Sequence, residues 1–156
     1  MTYEVSVRTV VERPTAVIQT TTTWVEFPAV LPGLLGEVWA CLRAGGVNSG
    51  CPNVMLYRDA ERFGEVNIEV GVELRRPCPL TGRVVSSTLP AGDVAMTVHR
   101  GPYSELGAAY DAVAEWCVAR AHRRSTTRWE VYGPHRDDPA ELTTEVYWLL
   151  DRPDGG

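Results

Sequence analysis

The segment "TTEVYWLL", Thr143 to Leu150, decides how the rest of the chain is read. It is rich in β-branched and aromatic residues, which marks a strand, yet Glu145 stands in its middle. An earlier segment, "NIEVGVEL" from Asn67 to Leu74, places Glu69 in the same position. Side chains along a strand alternate between two faces. In the later segment Thr143, Glu145, Tyr147 and Leu149 share one face, and Thr144, Val146, Trp148 and Leu150 share the other. In the earlier one Asn67, Glu69, Gly71 and Glu73 oppose Ile68, Val70, Val72 and Leu74. The Ile/Val/Val/Leu face is a core face. The opposite face mixes acids, small residues and aromatics, the composition of a concave ligand site with apolar walls and a few placed polar groups. The plainer alternative is a solvated strand face, with the aromatics serving as core.

Working outward, the two segments close two similar series of elements. Tyr3–Val11 alternates as a strand, and Thr15–Trp24 is a second, β-branched one. Leu34, Leu35, Val38, Trp39, Cys41 and Leu42 recur at helical spacing, with Gly45-Gly46 as the stop and Pro28 and Pro32 suited to the helix start. "NVMLYRD" (53–59) and "EVNIEVGVEL" (65–74) follow as strands joined by the turn "AERFG" (60–64). The Pro-rich "RRPCPLTG" (75–82) is the expected junction. Beyond it come strands at 83–89 and 92–100, and a helix whose apolar face is Leu106, Tyr110, Val113, Trp116 and Cys117, running to basic residues at "AHRR" (121–124). A hairpin of "RWEVYGP" (128–134) and "ELTTEVYWLL" (141–150) ends the series. Tyr57 then matches Tyr132, Glu69 matches Glu145, and Trp39 and Trp116 fall at similar depths in their helices. The expectation from the elements is an α+β fold: a β-β-α-β-β order, its first strand an edge, that repeats in the second half, with half-repeats 3–76 and 82–151 in a single 1–156 domain, forming one antiparallel sheet of about eight strands with two helices packed on it.

Composition narrows the function classes. The chain has 156 residues, 44% of them apolar, enough for a real core. A net charge of −5 without a basic stripe argues against direct nucleic-acid binding. "MTYEVSVRTV" lacks the apolar run of a signal peptide, and no stretch reaches the roughly 20 apolar residues of a membrane span. Cys41, Cys51, Cys78 and Cys117 form no CxxC pair, which suits free thiols in a reducing cytoplasm. The scattered His99, His122 and His135 offer no metal-ligand spacing, and no cofactor motif stands out, so neither metal nor cofactor is expected.

A carboxylate buried alone is costly, but an incoming cation can compensate it. Aromatic walls add cation–π attraction of roughly 0.5–2 kcal/mol each. Glu145 and Glu69 are therefore the candidate polar floor, with Tyr147, Tyr57, Tyr132, Trp39 and Trp116 as walls and Met55 as adaptable filler. The expected ligand is a flat, lipophilic, often cationic molecule.

"VHRGPYSELGAAYDAVAEW" followed by "WEVYGPHRDDPAELTTEVYWLL" resembles the GyrI-like domain, the effector-binding domain of bacterial multidrug-sensing transcription activators. The GPY-x-x-L-x-x-A-Y helix start, the xEVY strand and the final TEVY strand stand in the expected order over 93–150, and the first half fits more loosely. The resemblance implies duplicated β-α-β-β units forming one curved antiparallel sheet with a central ligand groove, a glutamate at Glu145 reaching into it, and varied lipophilic, often cationic ligands. It also implies three roles that share one groove. A stand-alone binder is the leading one. A hydrolase opening the cyclopropane ring of DNA-alkylating natural products would use Glu145 on a water and Tyr147 on the developing phenolate. A gyrase-protecting protein partner is the third. "AHRRSTTR" replaces the family's Gly-containing loop, and no helix-turn-helix is read ahead of the domain, so DNA contact would need a separate regulator.

Overall fold

The computed structural model describes residues 2–62 and 65–151, with the side chains of all of these except 59–62. In chain order the elements are β1 (Ser6–Val10), β2 (Arg13–Thr23), α1 (Phe27–Ala44), β3 (Asn53–Arg62), β4 (Glu65–Glu73), β5 (Val85–Leu89), β6 (Gly92–Arg100), α2 (Leu106–Ala119), β7 (Arg124–Tyr132) and β8 (Thr143–Leu150). The α+β class is as expected, with eight antiparallel strands and two helices among the described residues. Of the turn expected at 60–64, Phe63 and Gly64 lie outside the described residues.

Two compact units hold these elements. The N-terminal unit contains β2, α1, β3, β4 and β5, with strand order β3-β4-β2-β5. The C-terminal unit contains β6, α2, β7 and β8, and takes β1 as its outer strand, in the order β7-β8-β6-β1. The strand registers repeat between the units. Leu56 lies opposite Glu69 and Tyr57 opposite Ile68, while Val131 lies opposite Glu145 and Tyr132 opposite Thr144. The pairing of Tyr57 with Tyr132 and of Glu69 with Glu145 is thus a matter of backbone geometry as well as sequence pattern.

Each helix covers an even-numbered strand face, α1 that of β4 and α2 that of β8. Leu34, Val38 and Leu42 of α1 are buried, as are Ile68, Val70 and Val72 of β4, and α1 packs on β4 and β2. In the C-terminal unit Val113 and Cys117 of α2 pack on Ala95, with Trp116, Trp148 and Leu150 around them. Burying this many Val, Leu and Ile side chains at roughly 1.5–3 kcal/mol each supplies the main drive for both layers.

Two local differences from the expectation have physical causes. Pro28 occupies the first turn of α1, but Pro32 falls inside the helix and not at its start. Its missing N–H orphans the carbonyl of Pro28, and both residues are exposed, so that carbonyl faces solvent and the loss is tolerated. Secondly, "AHRR" does not extend α2. The helix stops at Ala119, Ala121 takes φ 58°, and the chain reverses so that β7 already begins at Arg124. The β-branched "STT" after it continues as strand. Gly71 of β4 is required by close approach. A Cβ there would lie 1.9 Å from the Ala16 carbonyl oxygen of β2, the mark of a tightly coiled sheet.

Candidate functional site

In β7 the even residues Arg128, Glu130 and Tyr132 project toward the α2 side, and Tyr110 of α2 meets them there. Glu130 is only 3% exposed. One carboxylate oxygen accepts a hydrogen bond from the Tyr110 hydroxyl at 2.5 Å, and the other accepts from the Tyr132 hydroxyl. Both donors are neutral phenols, and among the described residues no ion pair reaches this carboxylate. Two charge-assisted hydrogen bonds of about 1.5–3 kcal/mol each offset much of the desolvation of a buried carboxylate but supply no opposite charge.

Rings surround it. Tyr103 meets Tyr132 edge-on at 5.3 Å between centroids, and Tyr110 meets Trp148 edge-on at 5.9 Å. The Arg128 guanidinium lies over Tyr110 at 4.3 Å and over Trp148 at 5.4 Å, with Arg124 over Trp148 at 4.7 Å. Thr144, fully buried opposite Tyr132, has a hydroxyl with no hydrogen-bond partner among the described residues. A buried carboxylate hydrogen-bonded by phenols, walled by rings whose faces attract cations, is suited to holding an organic cation.

The N-terminal unit carries a smaller aromatic cluster at the corresponding strand. Trp24, Phe27 and Tyr57 lie 5.5–6.2 Å apart in centroid distance. Met55 holds the position equivalent to Glu130 and is buried. Trp39 donates from its indole nitrogen to the Asn53 side-chain oxygen at 2.7 Å. Trp24 and Phe27 were not among the expected wall residues, because the turn between β2 and α1 that brings them to Tyr57 carries no periodic signal.

A family model for the GyrI-like small molecule binding domain matches residues 3–151. The chain belongs to the GyrI-like family. A comparison with curated proteins gives no match. Among solved structures this GyrI-like domain superposes on the EcmrR C-terminal domain with a TM-score of 0.76 at 18% identity, over 97% of this chain and 99% of that one. In the EcmrR–DNA complex it covers 57% of the EcmrR chain and 95% of its own, at 18% identity and a TM-score of 0.74. It also resembles SAV2435 bound to tetraphenylphosphonium (TM-score 0.61, 12% identity, 96% and 94% of the two chains). A hydrolase from Listeria innocua encoded by lin2189 has the same fold (TM-score 0.59, 11% identity, 94% and 91%).

Within this GyrI-like domain the expected buried glutamate at the end of the chain is corrected. Glu145 is exposed. Odd residues of β8 face away from α2, so Glu145 lies between Val98, itself 47% exposed, and Val131. The Tyr147 hydroxyl donates to it at 2.9 Å, and the Tyr147 ring stacks on Trp129 at 5.4 Å. The buried carboxylate instead comes from one strand earlier, Glu130, which sequence reasoning passed over. The signal was there in "RWEVY": an acid in mid-strand with a tyrosine two residues on.

Glu69 is buried at 5% exposure, but its charge is met internally. It accepts from Arg58 Nε at 2.7 Å, from the Ser87 hydroxyl at 2.6 Å and from Gln19 at 3.4 Å. Those partners lie on β3, β5 and β2, so the carboxylate ties the N-terminal sheet together. Trp116 is stacked on His122 at 5.4 Å and lies beneath Arg120 at 4.4 Å, bracing the reversal after α2. A recess of about 530 Å³ beside Asp93, His122 and Leu149, and one of about 430 Å³ beside Thr21, Ala29 and Arg83, include no residue of the Glu130 cluster. Among the described residues all four cysteines are free, no His/Cys/Asp/Glu group could hold a metal ion, and no helix is long and apolar enough to cross a membrane.

Proposed function

We propose that this GyrI-like domain binds aromatic, lipophilic organic cations in the cytoplasm, with Glu130 as the charge-bearing residue and Tyr110, Tyr132, Tyr103 and Trp148 as walls. One observation carries the reading: Glu130 is buried, is held by two phenol hydroxyls, and meets no ion pair among the described residues. In the N-terminal unit, by contrast, the buried Glu69 is met by Arg58, so the C-terminal unit holds the carboxylate that a ligand cation would complete. The binding of tetraphenylphosphonium by a structural neighbour of the same fold supports this ligand class.

The test is isothermal titration with tetraphenylphosphonium. Wild type binds. Glu130→Gln weakens binding about 30–100-fold, the size of a charge–charge attraction over several ångströms at an effective dielectric near 20. Glu145→Gln, which alters a solvated carboxylate, stays within about twofold of wild type. Equal affinities for wild type and Glu130→Gln would reject the assignment.

A further inference from the structure

The two units differ at one pair of equivalent strand edges. In the C-terminal unit β1 pairs with β6 from Val10 opposite Gly92 to Ser6 opposite Met96. The chain ahead of β1 then runs on along β6. The Glu4 carbonyl accepts a hydrogen bond from the Thr97 hydroxyl at 2.8 Å, and the Tyr3 hydroxyl lies 2.9 Å from Nδ1 of the fully buried His99. In the N-terminal unit β5 pairs with β2 from Leu89 opposite Arg13 to Val85 opposite Val17, the same extent of register. Here the chain ahead of β5 leaves the sheet. It turns between Thr81 and Val84, and Arg83 pairs with Glu37 of α1 at 2.7 Å. Ile18 to Thr23 are therefore paired with β4 on one side and, among the described residues, with no strand on the other. Gln19 and Thr21 are exposed. A recess of about 430 Å³ runs beside this edge, with Thr20 and Thr22 on the strand side and Ala29, Val30 and Gly33 on the helix side. A Cβ at Gly33 would meet no atom within 4 Å. Exposed valines stand around the open stretch: Val85 at the end of β5, Val25 just beyond β2, and Val30 on α1.

We propose that this edge is a homodimer interface, in which β2 pairs antiparallel with β2 of a second copy of the chain. Sheet edges are ordinarily blunted by charges, proline or a bulge, and the stretch "IQTTTT" (18–23) has neither a charge nor a proline. Identical strands related by a two-fold axis must run antiparallel, which is the sense in which residues 3–5 accompany β6 in the other unit. An axis normal to the sheet keeps both copies of α1 on one side, so helix-side residues meet helix-side residues. Centred on Thr21, this sets Thr20 opposite Thr22 of the partner subunit and Thr21 opposite itself, and threonine pairs are favourable across strands. The turn after Thr23 takes each strand off the sheet before it would run into β5 of the other copy. The same features favour a second copy over a foreign segment. The recess offers methyls, hydroxyls and bare helix backbone, and the Arg83 charge at its end is already met by Glu37, so it holds no pocket or free charge with which to select an unlike peptide. A few strand residues and one helix face make a small contact, so the dimer is reversible and depends on concentration.

The experiment is sedimentation velocity of the whole chain from about 1 μM to about 1 mM, a range that brackets micromolar to millimolar dissociation constants, together with amide hydrogen exchange at both ends of it. Wild type is expected to pass from monomer to dimer, and the outward-facing amides among residues 19–23 to exchange more slowly at the high concentration. Thr21→Lys brings two like charges together at the axis and should weaken the dimer at least about tenfold. Circular dichroism separates this from a lost fold, and the exchange measurement on wild type needs no variant. A chain that stays monomeric throughout would overturn the proposal. So would a dimer that Thr21→Lys leaves intact, or one whose 19–23 amides exchange at the monomer's rate, since association would then use another face. Protection of those amides in a monomer, and only on adding an unrelated valine-rich peptide, would overturn self-pairing and give the edge to a peptide partner.

Discussion

Neutralising the two buried glutamates should have opposite effects on stability, and the contrast can be worked from their partners. Glu130→Gln keeps the shape of the side chain and an oxygen to accept a tyrosine hydroxyl. Burying an ionised side chain costs several kcal/mol even after relaxation. The two hydrogen bonds from Tyr110 and Tyr132 return about 3–6 kcal/mol together. The balance is close to zero, so removing the charge should leave stability unchanged or raise it by about 1 kcal/mol, a Tm shift of 0 to about +4 °C for a domain of this size. Glu69→Gln strands Arg58 instead. Breaking a buried pair costs about 3–5 kcal/mol, but the Arg58 side chain is 36% exposed and keeps part of its hydration, which lowers the expected loss to about 1–3 kcal/mol. That corresponds to a Tm lower by about 3–9 °C. Thermal and urea melts of the two variants, followed by circular dichroism at neutral pH without ligand, make the comparison. A Glu130→Gln variant that falls as far as Glu69→Gln would show that Glu130 is compensated within the fold, and the argument for a ligand cation would fail with it.

Two further predictions concern buried groups on the α2 side. Thr144→Val retains the β-branched shape while removing a hydroxyl that has no partner among the described residues, so it should raise the Tm by about 2–4 °C; a fall would reveal a hydrogen bond to ordered water at that place, visible in a crystal structure. Burial pushes the Cys117 thiol above its ordinary range, with Arg124 pulling the other way, and burial together with Glu105 raises the Tyr3 hydroxyl. A raised folded-state value means that the stabilisation is complete below the unfolded-state value and is lost as pH rises through the folded one. The urea midpoint should therefore hold near neutrality and decline from about pH 9 upward. In Cys117→Ala the midpoint is lower at pH 7 but declines less between pH 8 and 10.5, and equal slopes would remove the thiol from the account.

The fold was legible because its cues are local. β-branched runs, the apolar stripe of Leu34, Val38 and Leu42, and the Gly45-Gly46 stop each reflect a few neighbouring residues. The repeated order of elements was legible too, but the halves 3–76 and 82–151 were not: β1, read with the first half, pairs with β6 of the C-terminal unit, and β5, read with the second, pairs with β2 of the N-terminal unit, because these edge pairings are long-range and leave no local signal. The turn after α2 was not. Its geometry depends on Ala121 entering the left-handed region while His122 settles on Trp116, and nothing in "AHRR" announces either.

The site was harder to read for a reason inherent in strands. Alternation divides β8 into two faces but does not say which of them the helix covers. In β4 the division is unambiguous, since Ile68, Val70 and Val72 oppose two acids and a glycine. In β8 both faces are apolar apart from Glu145 and the threonines: Tyr147 and Leu149 on one, Val146, Trp148 and Leu150 on the other. Treating the acid-bearing face as the recess placed the carboxylate on the side that α2 does not cover. The helix-covered side needs a polar group only if something uses it, because an apolar residue would pack there at less cost, as Met55 does at the equivalent place in the N-terminal unit. Glu130 stands where packing alone would favour methionine. That substitution between two halves of one repeat, with the same strand, register and helix side but a different residue, is the internal observation behind the proposed ligand role of Glu130, since packing stability alone gives no reason for a carboxylate there.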